Sequence, residues 1–130
     1  MEKERFYIKI VGIIFDTEKR KILVGKNPGD ETYSFLEGDL NHDEELDKCL
    51  KRTVTEKTGY IVHNLGAVYA ENRLKDKDKV KVHFLCEIKN GKEKLGKNVS
   101  ELKWVKPQEV EKYLGVNLPS RLHEYLINLA

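Results

Sequence analysis

The rhythm of apolar and polar positions changes several times along this chain, and each change marks an element. From Phe6 to Phe15 the run is rich in Ile and Val, which predicts a buried strand. Asp16-Thr17-Glu18-Lys19-Arg20 is a polar turn, and Lys21 to Val24 returns as a second strand, so the two form a hairpin. Asn27-Pro28-Gly29-Asp30 carries the residues of a tight loop. Tyr33 to Leu36 reads as a short extended segment. Between Asp43 and Lys57 the period becomes helical: Leu46, Cys49, Leu50 and Val54 stand at i, i+3, i+4 and i+8 and share one face. Asp43 is the expected N-cap, Glu44, Glu45 and Asp47 suit the positive end of the helix dipole, and Gly59 suits its exit.

Beyond that helix, Ile61 to Glu71 and Val80 to Ile88 read as strands, with the charged stretch Lys75-Asp76-Lys77-Asp78 as a hairpin tip. Glu101 to Val105 is a further short strand. Pro107 opens a short helix reaching about Tyr113, and Pro119 opens a terminal helix reaching about Leu129. The order of strands, helix, strands and helices predicts a mixed α/β class around one core.

Composition narrows the functional classes. A chain of 130 residues with 39% hydrophobic and 35% charged residues predicts one globular domain over residues 1–130. Its 24 basic and 22 acidic residues leave no strong nucleic-acid signal and no argument for an anionic membrane. No apolar run approaches a membrane span, and the charged start Met-Glu-Lys-Glu-Arg lacks an apolar signal segment. Cys49 and Cys86 match no zinc spacing and no disulfide framework, so a reduced, cytoplasmic protein is the expectation.

The most informative stretch runs from Gly38 to Tyr60. It resembles the box of the Nudix (MutT-like) hydrolase family, G-x5-E-x7-R-E-U-x-E-E-x-G-U, with U a bulky apolar residue. Gly38, Glu44, Arg52, Val54, Glu56, Gly59 and Tyr60 fall in register. Two positions depart: Thr53 stands where the family has Glu after Arg, and Lys57 where it has the second Glu of the pair. The resemblance extends to Glu101-Leu102-Lys103-Trp104-Val105-Lys106-Pro107-Gln108-Glu109-Val110, which is similar to the family's downstream acidic-x-x-Trp-Val segment. It implies a Nudix-type α/β/α sandwich with a mixed β-sheet, a nucleotide-like small-molecule ligand, Mg²⁺ or Mn²⁺ if the protein is active, and a homodimer as a common state.

The chemistry explains why the departures matter. Cleaving a diphosphate requires developing negative charge to be neutralised and a water to be activated, and divalent ions do both. Carboxylates at i, i+3 and i+4 project to one side of a helix and can share such ions. Three glutamates at 53, 56 and 57 would carry three negative charges, whereas Thr53, Glu56 and Lys57 carry none on balance. A unit charge about 5 Å from a divalent ion, at an effective dielectric of about 20, interacts by roughly 6–7 kcal/mol. Metal binding in the family manner is therefore expected to be weak.

The resemblance implies a bracing role for Glu44 and Arg52 around the loop-helix-loop. Ahead of the box the family often reads Leu-Pro-Gly-Gly, where this chain has Phe35-Leu36-Glu37-Gly38. Glu37 is either a replacement metal ligand or a solvated loop residue. Glu101 is either a downstream base and ligand or a surface residue opening a strand. Tyr33 lies near the implied cleft and either stacks on a nucleoside or packs at its rim. Trp104, Cys49 and Cys86 read as packing residues, the four histidines as structural or surface groups, and Arg73 and Lys75 as hairpin-tip cations.

The leading expectation is a degenerate Nudix domain that binds a nucleoside-diphosphate-like ligand and hydrolyses it weakly or not at all, with Lys57 meeting phosphate where a metal would otherwise bridge. The alternatives are an active hydrolase with its metals held by Glu56, Glu37 and Glu44 and assisted by Glu101, and a scaffold for protein interactions.

Overall fold

A computed structural model describes residues 7–73 and 79–130, without the Arg73 side chain. Among the described residues six strands and three α-helices follow the predicted order: β1 Tyr7–Asp16, β2 Lys21–Lys26, β3 Leu36–Asp39, α1 Leu46–Thr58, β4 Tyr60–Arg73, β5 Lys79–Gly91, β6 Glu101–Val105, α2 Val110–Leu114 and α3 Ser120–Ile127. They make one mixed sheet in the order β4-β5-β1-β2-β6, with β3 also paired to β1.

β1 organises the molecule. One edge pairs in parallel with β5 from Tyr7↔Lys79 to Phe15↔Glu87. The opposite edge is divided: β3 takes Lys9 to Gly12 and β2 takes Ile14 to Asp16, both antiparallel. β2 and β3 therefore part near Ile13, and β2 meets the segment ahead of β3 at the Gly25–Ser34 bridge. The turn between β1 and β2 is closed by Asp16, whose Oδ1 accepts from the N–H groups of Glu18 and Lys19.

Alternation along β1 sends successive side chains to two cores. Val11, Ile13 and Phe15 pack with Ile22, Val24, Phe35 and the α2/α3 residues Val110, Leu114, Leu122 and Leu126. Ile10 and Ile14 pack on the other face with Leu23, Leu36, Phe84, Cys86 and the α1 residues Cys49, Leu50 and Val54. The result is the α/β/α sandwich. Each fully buried aliphatic side chain contributes roughly 1.5–3 kcal/mol to this arrangement. Gly12 lies under α1, where a Cβ would meet Val54 Cγ2 at 3.2 Å.

Several boundaries differ from the sequence expectation. α1 begins at Leu46 with Glu45 as N-cap, and no side chain caps it. Asp43 is not the cap because residues 41–44 form their own turn, in which Glu44 N–H donates to Asn41 O at 3.1 Å and Asn41 N–H donates back to the Glu44 carboxylate. Leu46, expected on the buried face, is 41% exposed because it sits in the first turn, ahead of the packed stripe. The extended segment expected at Tyr33–Leu36 forms its strand later, at Leu36–Asp39, where it pairs with β1. Pro119 is the N-cap of α3, not its first residue. The tip at Lys75–Asp78 lies outside the described residues, and no helix among those described is long and apolar enough to cross a membrane.

Residues 92–99, for which the sequence predicted no element, form a strap across the end of α1. The N–H groups of Lys94, Gly96 and Lys97 donate to the carbonyls of Thr58, Lys57 and Glu56 at 2.9, 3.0 and 2.9 Å. These are last-turn carbonyls that a helix leaves without internal partners. Gly96 makes the approach possible, since a Cβ there would fall 1.8 Å from Glu56 O. Gly59 leaves the helix in the left-handed region at φ 80° and donates to Thr55 O, as expected for a C-terminal glycine.

Candidate functional site

The parting of β2 and β3, roofed by α1 and the strap, opens a cleft of about 840 Å³. Its walls include Lys9 of β1, Lys26 of β2, Glu37, Gly38 and Asp39 of β3, Arg52, Thr53, Glu56 and Lys57 of α1, and Lys97 of the strap. The residues singled out at 37, 38, 52, 53, 56 and 57 thus converge on one place, though they come from separate elements.

Arg52 is the fixed point. Its Nε and Nη2 donate to the two oxygens of Glu44 at 2.7 and 2.8 Å, and Nη2 also donates to the Asp39 carbonyl at 3.2 Å. This bidentate pair ties the 39–44 segment to α1. The Arg52 hydrogen bonds hold the Glu44 carboxyl down at about 2, and the same contact keeps the guanidinium firmly protonated. Glu44 does not line the cleft. Both of its oxygens accept from Arg52, so Glu44 braces the loop against the helix.

Glu56 reaches the cleft wall but shares its carboxylate with Arg52 Nη1 at 3.5 Å. Thr53 is 2% exposed and lies against Gly38. Its hydroxyl has no hydrogen-bond partner among the described residues beyond the weak contact with the Cys49 sulfur. Glu37 is not a solvated loop residue. It stands half-buried on β3 with Oε1 3.3 Å from Lys81 Nζ. Lys57 is half-buried at the end of α1 and has no ion pair within 4.0 Å among the described residues. Burial, then the ammonium groups of Lys9 and Lys97, push it below the usual lysine range, and Glu56 and Glu37 offset part of that push.

Glu101 and Tyr33 meet each other instead of Glu56. The Tyr33 hydroxyl donates to Glu101 Oε2 because β2 and β6 place Lys26 opposite Glu101, and Lys26 Nζ lies 4.7 Å from the Tyr33 ring centre. Tyr33 also packs edge-on against Tyr113. It lines a second cavity of about 410 Å³ that shares Ser34, Phe35 and Glu37 with the main cleft and includes His83 and Lys81. His83 is 5% exposed, and its Nδ1 lacks a partner among the described residues. Trp104 lies outside both cavities and donates from Nε1 to Glu93 Oε1 at 2.8 Å.

A divalent ion of the hard type needs several convergent oxygen donors. Among the described residues no group of three or more His, Cys, Asp or Glu is placed to hold one. The donor chemistry agrees: Glu44 and Glu56 face Arg52, Glu37 faces Lys81, Thr53 is sealed, and Lys57 brings a cation. The residues present do not fit the metal centre that the box resemblance implies.

Sequence reasoning missed Lys9 and Lys97. Lys9 had a visible signal, a lone cation interrupting the apolar run Ile8-Lys9-Ile10. Lys97 had none, because it is positioned by backbone pairing with a helix far away in the chain.

Comparison with known proteins agrees with this architecture. The NUDIX domain family model matches residues 7–125. No curated protein sequence matches the chain. Similar solved structures include an ADP-ribose pyrophosphatase from Streptococcus suis (TM-score 0.71, 20% identity, covering 95% of this chain and 87% of that one). A NUDIX hydrolase from Nitrosomonas europaea gives a TM-score of 0.80 at 14% identity, over 96% of this chain and 72% of that one. A MutT protein from Methanosarcina mazei gives 0.68 at 21% identity, over 99% and 96%.

Proposed function

The chain belongs to the Nudix family, and on that premise we propose that it binds a nucleoside-diphosphate-like small molecule in the main cleft and hydrolyses it weakly or not at all. Members of the family generally use divalent metal ions. The observation that carries the reading is the state of α1 where it faces the cleft. Thr53 is buried without a charge, Glu56 is shared with Arg52, and Lys57 adds an ammonium. A pyrophosphohydrolase needs negative charge at that face to hold metals, and this helix offers an anion-binding group instead. Arg52 and Glu44 keep the loop and helix in position whether or not chemistry follows.

A second reading keeps hydrolysis. Glu37 and Glu56 both border the cleft, and the similar Streptococcus suis structure is that of an ADP-ribose pyrophosphatase, so a nucleoside diphosphate linked to another group is the substrate class to test. Assays of the wild type and of a Thr53→Glu/Lys57→Glu variant on nucleotide sugars, dinucleotides and nucleoside triphosphates, each with Mg²⁺ and Mn²⁺, separate the two. The binder reading expects negligible wild-type turnover and a thermal shift with one ligand. Strong wild-type turnover that disappears in Glu56→Gln would overturn it. No response to any ligand would point to a protein-interaction scaffold.

A further inference from the structure

We propose that Lys57, Lys97 and Lys9 together form a metal-independent cradle for a diphosphate group, occupying the part of the cleft where a Nudix hydrolase would hold its metals. The inference deepens the binding function proposed above and rests on it.

The three side chains come from three elements that meet only in the folded protein. Lys57 lies in the last turn of α1. Lys97 is carried there by the strap, whose N–H groups are bonded to the final carbonyls of that helix. Lys9 comes from β1, in register with Asp39 of β3. All three line the main cleft, and both Lys9 and Lys97 lie near enough to Lys57 for their charges to act on it.

Charge matching inside the cleft shows what is left over. Glu56 pairs with Arg52, Glu37 with Lys81, and Asp39 with Lys9 at 3.2 Å. Glu37 and Asp39 each have a lysine of their own, while Glu56 shares Arg52 with Glu44 and is only partly met. Lys57 and Lys97 have no ion pair among the described residues. Asp30 is exposed at the rim, where Lys26 is also found. Two ammonium groups without ion pairs, Lys57 and Lys97, against the one partly met carboxylate of Glu56 leave the balance beside α1 positive. Ammonium groups are compact donors suited to phosphate oxygens as point charges. Gathering like charges costs free energy that an entering oxyanion recovers, and a diphosphate, with two adjacent phosphoryl groups, meets more than one ammonium at once.

The test is calorimetric titration of the wild type with inorganic pyrophosphate and with ADP, in EDTA and again in Mg²⁺, repeated for Lys57→Gln and Lys97→Gln. Lys97→Gln leaves the strap intact, because the strap is held through the backbone N–H. Lys112→Gln, away from the cleft, is the control, and circular dichroism checks that each variant is folded. The expected result is pyrophosphate binding that persists in EDTA, weakens with added salt, and drops by roughly tenfold or more in each cleft variant. Binding that requires Mg²⁺, or that is unchanged in both cleft variants, would overturn the cradle and leave the ligand class standing. Absence of binding by either compound under every condition would overturn both.

Discussion

Gly38 and Thr53 are fitted to each other so closely that a Cβ on the glycine would fall 2.0 Å from Thr53 Oγ1. The glycine of the box is needed here because β3 and α1 touch at that point, and the contact sets how far the helix stands from the cleft floor. Gly38→Ala is expected to lower stability by about 1–3 kcal/mol through overpacking. Thr53→Ala in the Gly38→Ala background should recover a good part of that loss. Urea denaturation of the single and double variants measures the coupling, and simple additivity would contradict the contact.

The strap gives a second prediction. Gly96→Ala places a methyl group against the Glu56 carbonyl, so the strap must lift from α1. Amide exchange at Lys94, Gly96 and Lys97 should accelerate well beyond the change at the centre of β1. Unaltered protection at these amides would show that the strap tolerates the methyl group.

Acid stability depends on Glu44. Its carboxyl titrates at about 2 in the folded protein against 4.5 ordinarily, chiefly through the Arg52 hydrogen bonds. A carboxyl that is more acidic when folded adds stability above its ordinary value and loses it as pH falls from 4.5 towards 2. Glu44→Gln should be less stable than the wild type at neutral pH, and the gap should narrow across that window. Denaturation midpoints taken from pH 7 to pH 2.5 test this, and a constant gap would contradict it.

His83 titrates in the same direction of pH for a different reason. Burial pushes its imidazole below 6.5, so the unfolded chain takes up the proton more readily than the folded one. Its contribution is whole above 6.5 and declines as pH falls from there to the folded value. His83→Phe should flatten the stability profile as pH falls below 6.5. A profile identical to that of the wild type would mean that the imidazole is not held neutral.

Short-range pattern made much of this architecture legible. Alternation along β1 and the 49-50-54 stripe of α1 each bury one face against a core, and burial of that kind leaves a period in the sequence. The box placed Gly38, Glu44, Arg52 and Gly59 in their structural settings. Less visible were features made by pairing between distant segments. The start of α1 moved to Leu46 because Glu44 turns towards Arg52 and Asn41, a preference no helix signal contains. Glu37 found Lys81, and Glu101 found Tyr33, only once strands were laid side by side. The hairpin-tip cations Arg73 and Lys75 belong to side chains outside the described residues.

The strap holds α1 through peptide groups, which every residue except proline possesses. Its geometry is thus indifferent to the side chain at position 97, which is exposed and points no apolar surface into either core. One codon there changes the charge presented to the cleft while the frame stays as it is. On the cradle proposed above, substitution at position 97 is expected to change what the cleft attracts without rebuilding the helix beneath the strap.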